Sequence, residues 1–202
     1  MESGRLDILI NNAGCVYLSA LEDLSIEEIK VQFGKNFFGT IRVIQAVLPI
    51  MINQKSGIIV NLNSIGGRFG YSNGSAYASS KFAIEGLTES LYYEIAPFGI
   101  KLILVEPGIT NTNIFHSANI SKKSNNSDSP YFKEMHRWTN KFTKLIENGS
   151  SPNLLAKTII NTVSNNNSKF RYPVGRGAEQ ALEKRKNMSD EEFFNEIKST
   201  VM

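Results

Sequence analysis

Leu6-Asp7-Ile8-Leu9-Ile10-Asn11-Asn12-Ala13-Gly14 is the stretch of sequence that decides the fold. Its short apolar run ends abruptly at turn-forming residues, which is the pattern of a β-strand. A second apolar run follows at residues 57–62, with consecutive apolar residues, as expected of a strand covered on both faces. A third lies at residues 101–105 and is stopped by Pro107-Gly108. We therefore predict three short strands in the first half of the chain.

Helical patterns separate these strands. Ser25-Ile26-Glu27-Glu28 is a capping-box start, after which apolar residues recur at helical spacing to Leu48. A second long helix is predicted at about 76–96. Strands and helices that alternate at this spacing predict right-handed βαβ crossovers, and hence an α/β fold with a parallel sheet and flanking helices.

The second half of the chain is predicted to continue this pattern. Residues 111–130 are rich in Asn, Ser and Lys and read as a mobile loop. Further helices are expected at 131–147 and 152–164, a last strand at 170–174, and a terminal helix capped by Ser189. With no internal repeat in the sequence, we expect residues 1–202 to form a single domain.

Composition excludes several classes of function. The 202 residues carry 22 Lys and Arg against 19 Asp and Glu, which gives a net charge of +3. Because the positive charges are spread along the chain, the sequence shows no basic cluster of the kind that binds nucleic acids or membrane surfaces. The one cysteine, Cys15, cannot form an internal disulfide, which fits a reducing compartment. No signal-like leader and no apolar run of about 18 residues is evident, so we expect a cytoplasmic protein.

Polar and small residues follow each predicted strand. In a parallel sheet the carboxyl ends of the strands share one edge, where ligands bind. Asn12-Ala13-Gly14, Ser64 and Pro107-Gly108 should therefore be neighbours in space. Tyr77 opens the long helix near the same edge, and Lys81 lies four residues later, on the same helix face.

This set of residues suits acid–base chemistry at a carbonyl or alcohol oxygen. A free phenol has a pKa of about 10, and an ammonium group one helical turn away is expected to lower it. Ser64 would donate to the same substrate oxygen. Taken singly, each residue has a plainer explanation: Tyr77 and Lys81 a chance spacing, Ser64 a turn residue, Asn12 an Asx-turn. Their order along one sheet edge favours the chemical interpretation.

The chain resembles the short-chain dehydrogenase/reductase family, in the branch that holds 17β-hydroxysteroid and retinol dehydrogenases. The resemblance is strong over about residues 5–115 and weak from there to residues 171–175. The matching motifs are Asp7-Ile8-Leu9-Ile10-Asn11-Asn12-Ala13-Gly14, Asn36-Phe37-Phe38-Gly39, Gly57-Ile58-Ile59-Val60-Asn61 with Ser64, Tyr77-Ala78-Ser79-Ser80-Lys81, and Glu106-Pro107-Gly108 with Thr112.

The resemblance implies a Rossmann-like fold and four catalytic residues. Tyr77 would be the acid/base, Lys81 would lower its pKa and hold the nicotinamide ribose, and Ser64 would orient the substrate oxygen. Asn36 would hold a water that links Lys81 to solvent; without the family, a helix kink or a polar contact between helices would explain it. Asn63 and Ser79 depart from the residues that the family often has there, Ser and Ala, and neither position carries the proton.

The resemblance also implies NAD or NADP as cofactor, with hydride passing between the cofactor and a small-molecule substrate that is a carbonyl compound or a secondary or primary alcohol. Asn12, Ala13 and Gly14 would line the adenosine side, and Tyr77 would contact the cofactor together with Lys81. The carboxamide end would meet the backbone at Pro107, Gly108 and Thr110 and the Thr112 hydroxyl. His116 and His136 have no ligand-like partners in the sequence, so no metal site is expected.

The family's N-terminal half has no counterpart in this sequence. A complete member opens with a strand, a Gly-rich turn and a helix that binds the pyrophosphate. The first βαβαβ half, roughly 80 residues, is expected to be absent, leaving the strand at 6–10 as an exposed apolar edge. Our hypothesis is that Met1 is an internal methionine of a longer protein. The alternative is a cofactor-free pseudoenzyme, or inactive fragment, that acts as an interaction module.

Two further expectations concern the substrate and self-association. Residues 111–150 are expected to form a segment over the substrate, whose aromatic residues suit an apolar carbonyl or alcohol or, equally, ordinary helix packing. The family usually pairs its subunits through the helices at 25–53 and 76–96, so we expect a dimer or tetramer. Candidate contact residues, each of which could equally be core, are Val31, Phe38, Tyr92 and Tyr93.

Overall fold

The computed structural model describes residues 4–165 and 169–201, which form four strands and eight α-helices with a few short 3₁₀ turns. The strands and helices are β1 (Ile8–Asn11), α1 (Ile26–Phe33), α2 (Gly39–Gln54), β2 (Gly57–Leu62), α3 (Ser75–Ile95), β3 (Ile100–Pro107), α4 (Asn113–His116), α5 (Phe132–Glu147), α6 (Pro152–Ser164), β4 (Arg171–Val174), α7 (Ala178–Asn187) and α8 (Asp190–Val201). The elements predicted from the sequence are confirmed, with bounds that agree to within a few residues.

The four strands form one parallel sheet in the order β1-β2-β3-β4. The register places Ile10 beside Val60 and Val60 beside Ile103. The predicted α/β fold with a Rossmann-like parallel sheet is thereby confirmed. Because all four strands run the same way, the residues that follow β1, β2 and β3 emerge at one edge of the sheet.

Both faces of the sheet are covered by helices. On one face, α2 and α3 pack on the strands through buried residues that include Met51, Ile59 and Leu102. On the other, Leu155 and Ile159 of α6 pack against the central strands. This double cover explains the consecutive apolar residues of β2 and β3, each of which gains about 1.5–3 kcal/mol from burial.

The β1 edge of the sheet is open. Within the part of the chain that the structure describes, β1 pairs only with β2, and its Ile8 and Ile10 side chains are 44% and 46% exposed. Val60, the β2 partner of Ile10, is fully buried. The exposed apolar edge expected at this strand is present, and such an edge is a template for pairing with another chain.

The helix after β1 is long and irregular. Its start is the predicted capping box: the Glu28 N–H donates to Ser25 Oγ at 3.2 Å, and the Ser25 N–H donates to Glu28 Oε2 at 2.8 Å. A π-helical turn at Gly34–Phe38 then separates α1 from α2. The whole helix, Ile26–Gln54, has 29 residues and a window of mean hydropathy 1.2, so its length and composition would allow it to cross a membrane. Only 22% of that window is buried.

The Asn- and Ser-rich loop is tied to the rest of the molecule by a buried carboxylate. Ser124 and Ser129 donate to Asp23 Oδ2 at 2.9 and 2.6 Å, and Lys123 Nζ lies 3.3 Å from Asp23 Oδ1. The side chains of Asp23, Ser124 and Ser129 are all buried. The loop, which the sequence suggests is mobile, thus has a packed polar anchor in the structure.

Candidate active site

A cleft of about 720 Å³ lies at the carboxyl edge of the sheet. Every predicted site residue except Asn36 contributes to its lining: Asn12, Ala13, Gly14, Ser64, Tyr77, Lys81, Pro107, Gly108, Thr110 and Thr112. The topology accounts for this grouping, because these residues follow parallel strands or open the helix after β2. The structure therefore brings together residues that are up to a hundred positions apart in the sequence.

Tyr77 and Ser64 are neighbours in this cleft. Ser64 is near enough to act on the Tyr77 phenol as a hydrogen-bonding group, and Tyr77 is only 4% exposed. Ser64 is held by the turn that follows β2, where its hydroxyl accepts a hydrogen bond from the Gly66 N–H at 3.0 Å. A Cβ at Gly66 would lie 3.4 Å from Ser64 Oγ and 3.5 Å from the Tyr77 ring, so the backbone of this turn packs directly beside the pair.

Burial dominates the acidity of Tyr77. It raises the pKa of the phenol to about 12, against a smaller lowering by the hydrogen bond from Ser64. The lowering of this pKa by Lys81 stays a prediction. Lys81 Nζ lies 5.8 Å from the centroid of the Tyr77 ring and donates to the carbonyl oxygen of Leu62, at 3.1 Å.

Lys81 is itself a buried cation. Burial lowers its pKa from 10.5 to about 8, while the negative charge of Glu85 works in the opposite direction. The group is thus still mostly protonated at neutral pH, but with a much smaller margin than an exposed lysine has.

Asn36 lies at the π-helical turn before α2. Its Oδ1 accepts from the Cys15 N–H at 2.9 Å, and its Nδ2 donates to the Cys15 carbonyl and to Ser80 Oγ, both at 3.1 Å. The side chain therefore ties the loop after β1 to α3, next to the turn between Tyr77 and Lys81. Its role as the holder of a relay water stays a prediction.

The loops after β1 and β3 form opposite walls of the cleft. Gly14 packs so closely on Asn36 that a Cβ there would lie 3.2 Å from its Oδ1. After β3, the Thr110 hydroxyl donates to the Gly108 carbonyl at 3.2 Å, and a Cβ at Gly108 would lie 2.6 Å from the Arg176 carbonyl oxygen. Both walls are thus fixed by close backbone packing that small residues permit.

A second cavity of about 270 Å³ adjoins the cleft, and Ser64, Gly108 and Phe115 line both. Its walls are mostly apolar and come from the turn after β2 and from α5, α7 and α8. Phe69 and Phe193 meet edge to face at 5.1 Å, while Phe142 stacks on Trp138 at 4.5 Å. We refer to it as the aromatic cavity.

A buried ionic cluster lies behind the cleft. Glu85 of α3 and Glu106 of β3 are both buried, and Arg171 of β4 contacts each carboxylate, at 3.1 and 3.9 Å. Arg68 donates to Glu106 Oε1 at 3.0 Å from the loop after β2, and Asn63 Nδ2 donates to Glu85. Burial and the neighbouring Glu106 charge raise the pKa of Glu85 to about 7.

Comparison with known proteins decides the family. The family model described as short chain dehydrogenase matches residues 1–123, more than half of the chain. The chain belongs to the short-chain dehydrogenase family. The resemblance to this family that the sequence motifs indicated is thereby confirmed.

Similar members of the short-chain dehydrogenase family include a 3-ketodihydrosphingosine reductase from Bacteroides thetaiotaomicron, 40% identical over 174 residues. That match covers 86% of this chain and 64% of the relative. Retinol dehydrogenase 8 from Bos taurus is 34% identical over 172 residues, covering 81% of this chain and 54% of the relative. This chain thus spans between one half and two thirds of the length of these two curated relatives.

Two solved short-chain dehydrogenases have the same fold. One, from Streptomyces avermitilis, is 33% identical, with a TM-score of 0.79 over 92% of this chain and 67% of that one. The other, a metagenomic short-chain oxidoreductase in complex with NADP, is 31% identical, with a TM-score of 0.50 over 52% of this chain and 48% of that one.

Sequence reasoning missed two sets of residues in this short-chain dehydrogenase. The aromatic cavity depends on Phe69 and Phe193, which lie in segments far apart in sequence and carry no motif. The ionic cluster depends on Glu85, Glu106 and Arg171. Charged residues in predicted helix and strand interiors were the available signal: Glu106 ends an apolar strand, and Glu85 lies one turn beyond Lys81.

Proposed function

We propose that this protein is an NAD(P)-dependent oxidoreductase that interconverts a carbonyl group and an alcohol, with Tyr77 as the acid/base. One observation carries the proposal: Tyr77 and Ser64 lie side by side at the cleft, and Ser64 also lines the aromatic cavity. Proton donors are thus held where two binding spaces meet. Such an arrangement suits a reaction in which a cofactor and a substrate approach the same oxygen from different sides.

The cleft suits a nicotinamide nucleotide. Its volume of about 720 Å³ is within the usual range for ligand sites, and Ala13, Gly14 and Gly108 leave its walls open to close approach. Lys81 would hold the nicotinamide ribose, and the Thr112 hydroxyl would bind the carboxamide end. The similar metagenomic oxidoreductase in complex with NADP supports this assignment. When bound, the cofactor supplies or accepts the hydride.

The Tyr77 proton favours the reductive direction. With a pKa of about 12, the phenol of Tyr77 keeps its proton at neutral pH and can donate it to the substrate. As the carbonyl carbon gains hydride, the carbonyl oxygen becomes basic and takes the proton of Tyr77, so that the product is an alcohol. The Ser64 hydroxyl donates a hydrogen bond to the same oxygen. The reverse reaction needs the phenolate, which burial disfavours.

The aromatic cavity is proposed as the substrate site. Phe115, Phe142 and Ile146 line it, so the segment 111–150 supplies one wall, as a segment over the substrate should. Phe193 and Ile197 of α8 supply part of another. These walls favour a carbonyl compound with an apolar body, with its oxygen at Ser64 and Tyr77.

Nucleotide binding tests the proposal directly. Fluorescence titration of the 202-residue chain with NADH and NADPH is expected to show saturable binding of at least one of them. Lys81→Met is expected to weaken it, while Lys133→Met, at an exposed position on α5, leaves it unchanged. If neither nucleotide binds, the chain is a cofactor-free protein and the oxidoreductase proposal fails for it.

Self-association is part of the proposal. Val31, Phe38, Tyr92 and Tyr93 are all exposed apolar or aromatic side chains, on α1, α3 and the turn between α1 and α2. An apolar helix surface of this kind suits pairing with a second copy. Sedimentation at micromolar concentration is expected to give a dimer or tetramer that Tyr93→Glu weakens and Leu21→Glu, at an exposed position in another region, does not. A monomeric parent chain contradicts this part of the proposal.

A further inference from the structure

Two consecutive residues at the end of β2 hold two consecutive turns of α3. The Leu62 carbonyl oxygen accepts from Lys81 Nζ at 3.1 Å, and the next residue, Asn63, donates its side-chain N–H to Glu85. Lys81 and Glu85 are four residues apart, so they share one face of the helix. Both are buried, with 7% of each residue exposed. From the loop after β1, Cys15 also faces Lys81, and its negative form raises the pKa of the lysine less than Glu85 does. The lysine of the proposed site thus has a carboxylate neighbour that is fixed in place by the same strand end.

The elements packed against Glu85 contribute charge from three sides. Arg171 of β4 lies 3.1 Å from Glu85 Oε2 and also contacts Glu89, one turn further along α3. From β3, the carboxylate of Glu106 faces the same space, and Arg68 binds it from the loop after β2. Glu89 differs from Glu85 in being largely exposed.

The cluster is not saturated with hydrogen bonds. Glu106 Oε2, Asn63 Oδ1 and Arg171 Nε are buried without a hydrogen-bond partner. Each unmade bond of this kind costs about 1–3 kcal/mol. Two carboxylates so close together also do not ionise independently, and Glu85 accordingly has a pKa raised to about 7 by burial and by Glu106.

We propose that Glu85 is a positioning residue of the site, whose carboxylate keeps the amine of Lys81 charged while this amine donates to the Leu62 carbonyl oxygen. As the pH rises, Glu85 gains its negative charge before Lys81 gives up its proton. The charge of Glu85 then opposes the effect of burial on Lys81. The importance of this arrangement for catalysis rests on the proposed function. The effect of Glu85 on the charge of Lys81 does not depend on it.

The charge of Lys81 can be followed by NMR without any cofactor. Titration of the lysine ¹³Cε and ¹⁵Nζ signals, with Lys81→Met for assignment, gives its pKa directly. Glu85→Gln is expected to lower this pKa by about one unit, the effect of losing a nearby opposite charge. Glu89→Gln removes an exposed carboxylate that also contacts Arg171, and it is expected to leave the pKa of Lys81 unchanged. Glu85→Asp keeps the charge and is expected to fall between the parent and Glu85→Gln.

Two results would overturn the proposal. One is an equal drop in the Lys81 pKa for Glu85→Asp and Glu85→Gln, which would show that packing rather than charge matters. The other needs no variant. In the parent chain the Lys81 signals should shift in two steps, a small one as Glu85 ionises near pH 7 and a larger one as Lys81 loses its proton. A single step means that Glu85 does not act on Lys81, whatever the nucleotide titrations show.

Discussion

The cleft and the aromatic cavity share Ser64, Gly108 and Phe115 but are built by different means. The cleft is lined largely by residues that directly follow parallel strands, many of them small or polar. The aromatic cavity is lined by large side chains from the loop after β2 and from α5, α7 and α8. Backbone topology thus positions the cleft, whereas tertiary packing of side chains shapes the aromatic cavity. If the first takes a cofactor and the second a substrate, chemistry at their junction should be separable from binding in either.

The strongest way to break this division is to remove the proton donor at the junction. Tyr77→Phe is expected to lower turnover by about 100- to 10,000-fold, because the proton no longer has a positioned donor. Nucleotide affinity should stay near that of the parent chain, since the ring remains in the cleft wall. Steady-state kinetics and NADPH fluorescence titration measure the two effects separately.

A neighbouring tyrosine provides the matched control. Tyr71 lies in the lining of the aromatic cavity, and burial raises its pKa well above the ordinary value. Tyr71→Phe removes the hydroxyl of a partly buried tyrosine without touching the proposed acid/base and should keep most of the turnover. Equal losses in the two variants would remove Tyr77 from its proposed role.

The second test acts on the aromatic cavity alone. Phe193 is 1% exposed and packs against Phe69, so Phe193→Ala is expected to cost about 3–5 kcal/mol of unfolding free energy. The widened cavity should raise KM for an apolar carbonyl substrate and leave nucleotide affinity unchanged. Urea unfolding and kinetics at a temperature where the variant stays folded measure both quantities.

Phe194 makes this test specific. It is 58% exposed, and the Arg185 guanidinium lies over both rings, at 5.2 Å from Phe193 and 5.9 Å from Phe194. Phe194→Ala therefore removes a ring contact with the same cation but opens no buried cavity, and its stability should stay close to that of the parent. A loss of nucleotide affinity in Phe193→Ala would show that the two cavities are not independent.

The same contrast explains how far sequence reasoning reaches. The cleft could be predicted because parallel strands bring their carboxyl ends to one edge, whatever packs around them. Asn12, Ser64 and Pro107 needed only that rule and the strand pattern to be grouped. Phe69 and Phe193 could not be paired in this way, since 124 positions separate them and no periodicity links a loop to the last helix.

The acidity of Tyr77 could not be predicted in the same way. Spacing predicts that Lys81 lowers the pKa of Tyr77, but burial of the phenol raises this pKa to about 12. Helical spacing fixes which residues share a face, whereas desolvation depends on everything packed around them. Asn36 shows the same limit, because its partners Cys15 and Ser80 are chosen by tertiary contacts.

The two cavities should also differ in how they link stability to pH. Behind the cleft, Glu85 has a pKa raised from 4.5 to about 7. The folded protein therefore binds more protons than the unfolded chain within that interval. The stabilisation that the protonated Glu85 gives the folded protein is fully present below pH 4.5 and is lost as the pH rises through about 7. At the rim of the aromatic cavity, Lys184 and Glu196 form a more exposed pair, which is worth little.

Glu85→Gln should therefore flatten the fall in unfolding free energy between pH 4.5 and 7, by on the order of 2 kcal/mol over the interval. Glu196→Gln should leave the slope as it is in the parent chain. Urea unfolding at half-unit steps of pH measures both. Above pH 8 the unfolding free energy should instead rise with pH. The pKa of Lys81 is lowered from 10.5 to about 8, so the unfolded chain binds the extra proton in that range. A parent chain whose stability is flat from pH 4.5 to 7 would mean that the charges behind the cleft are as freely hydrated as those at the rim of the aromatic cavity.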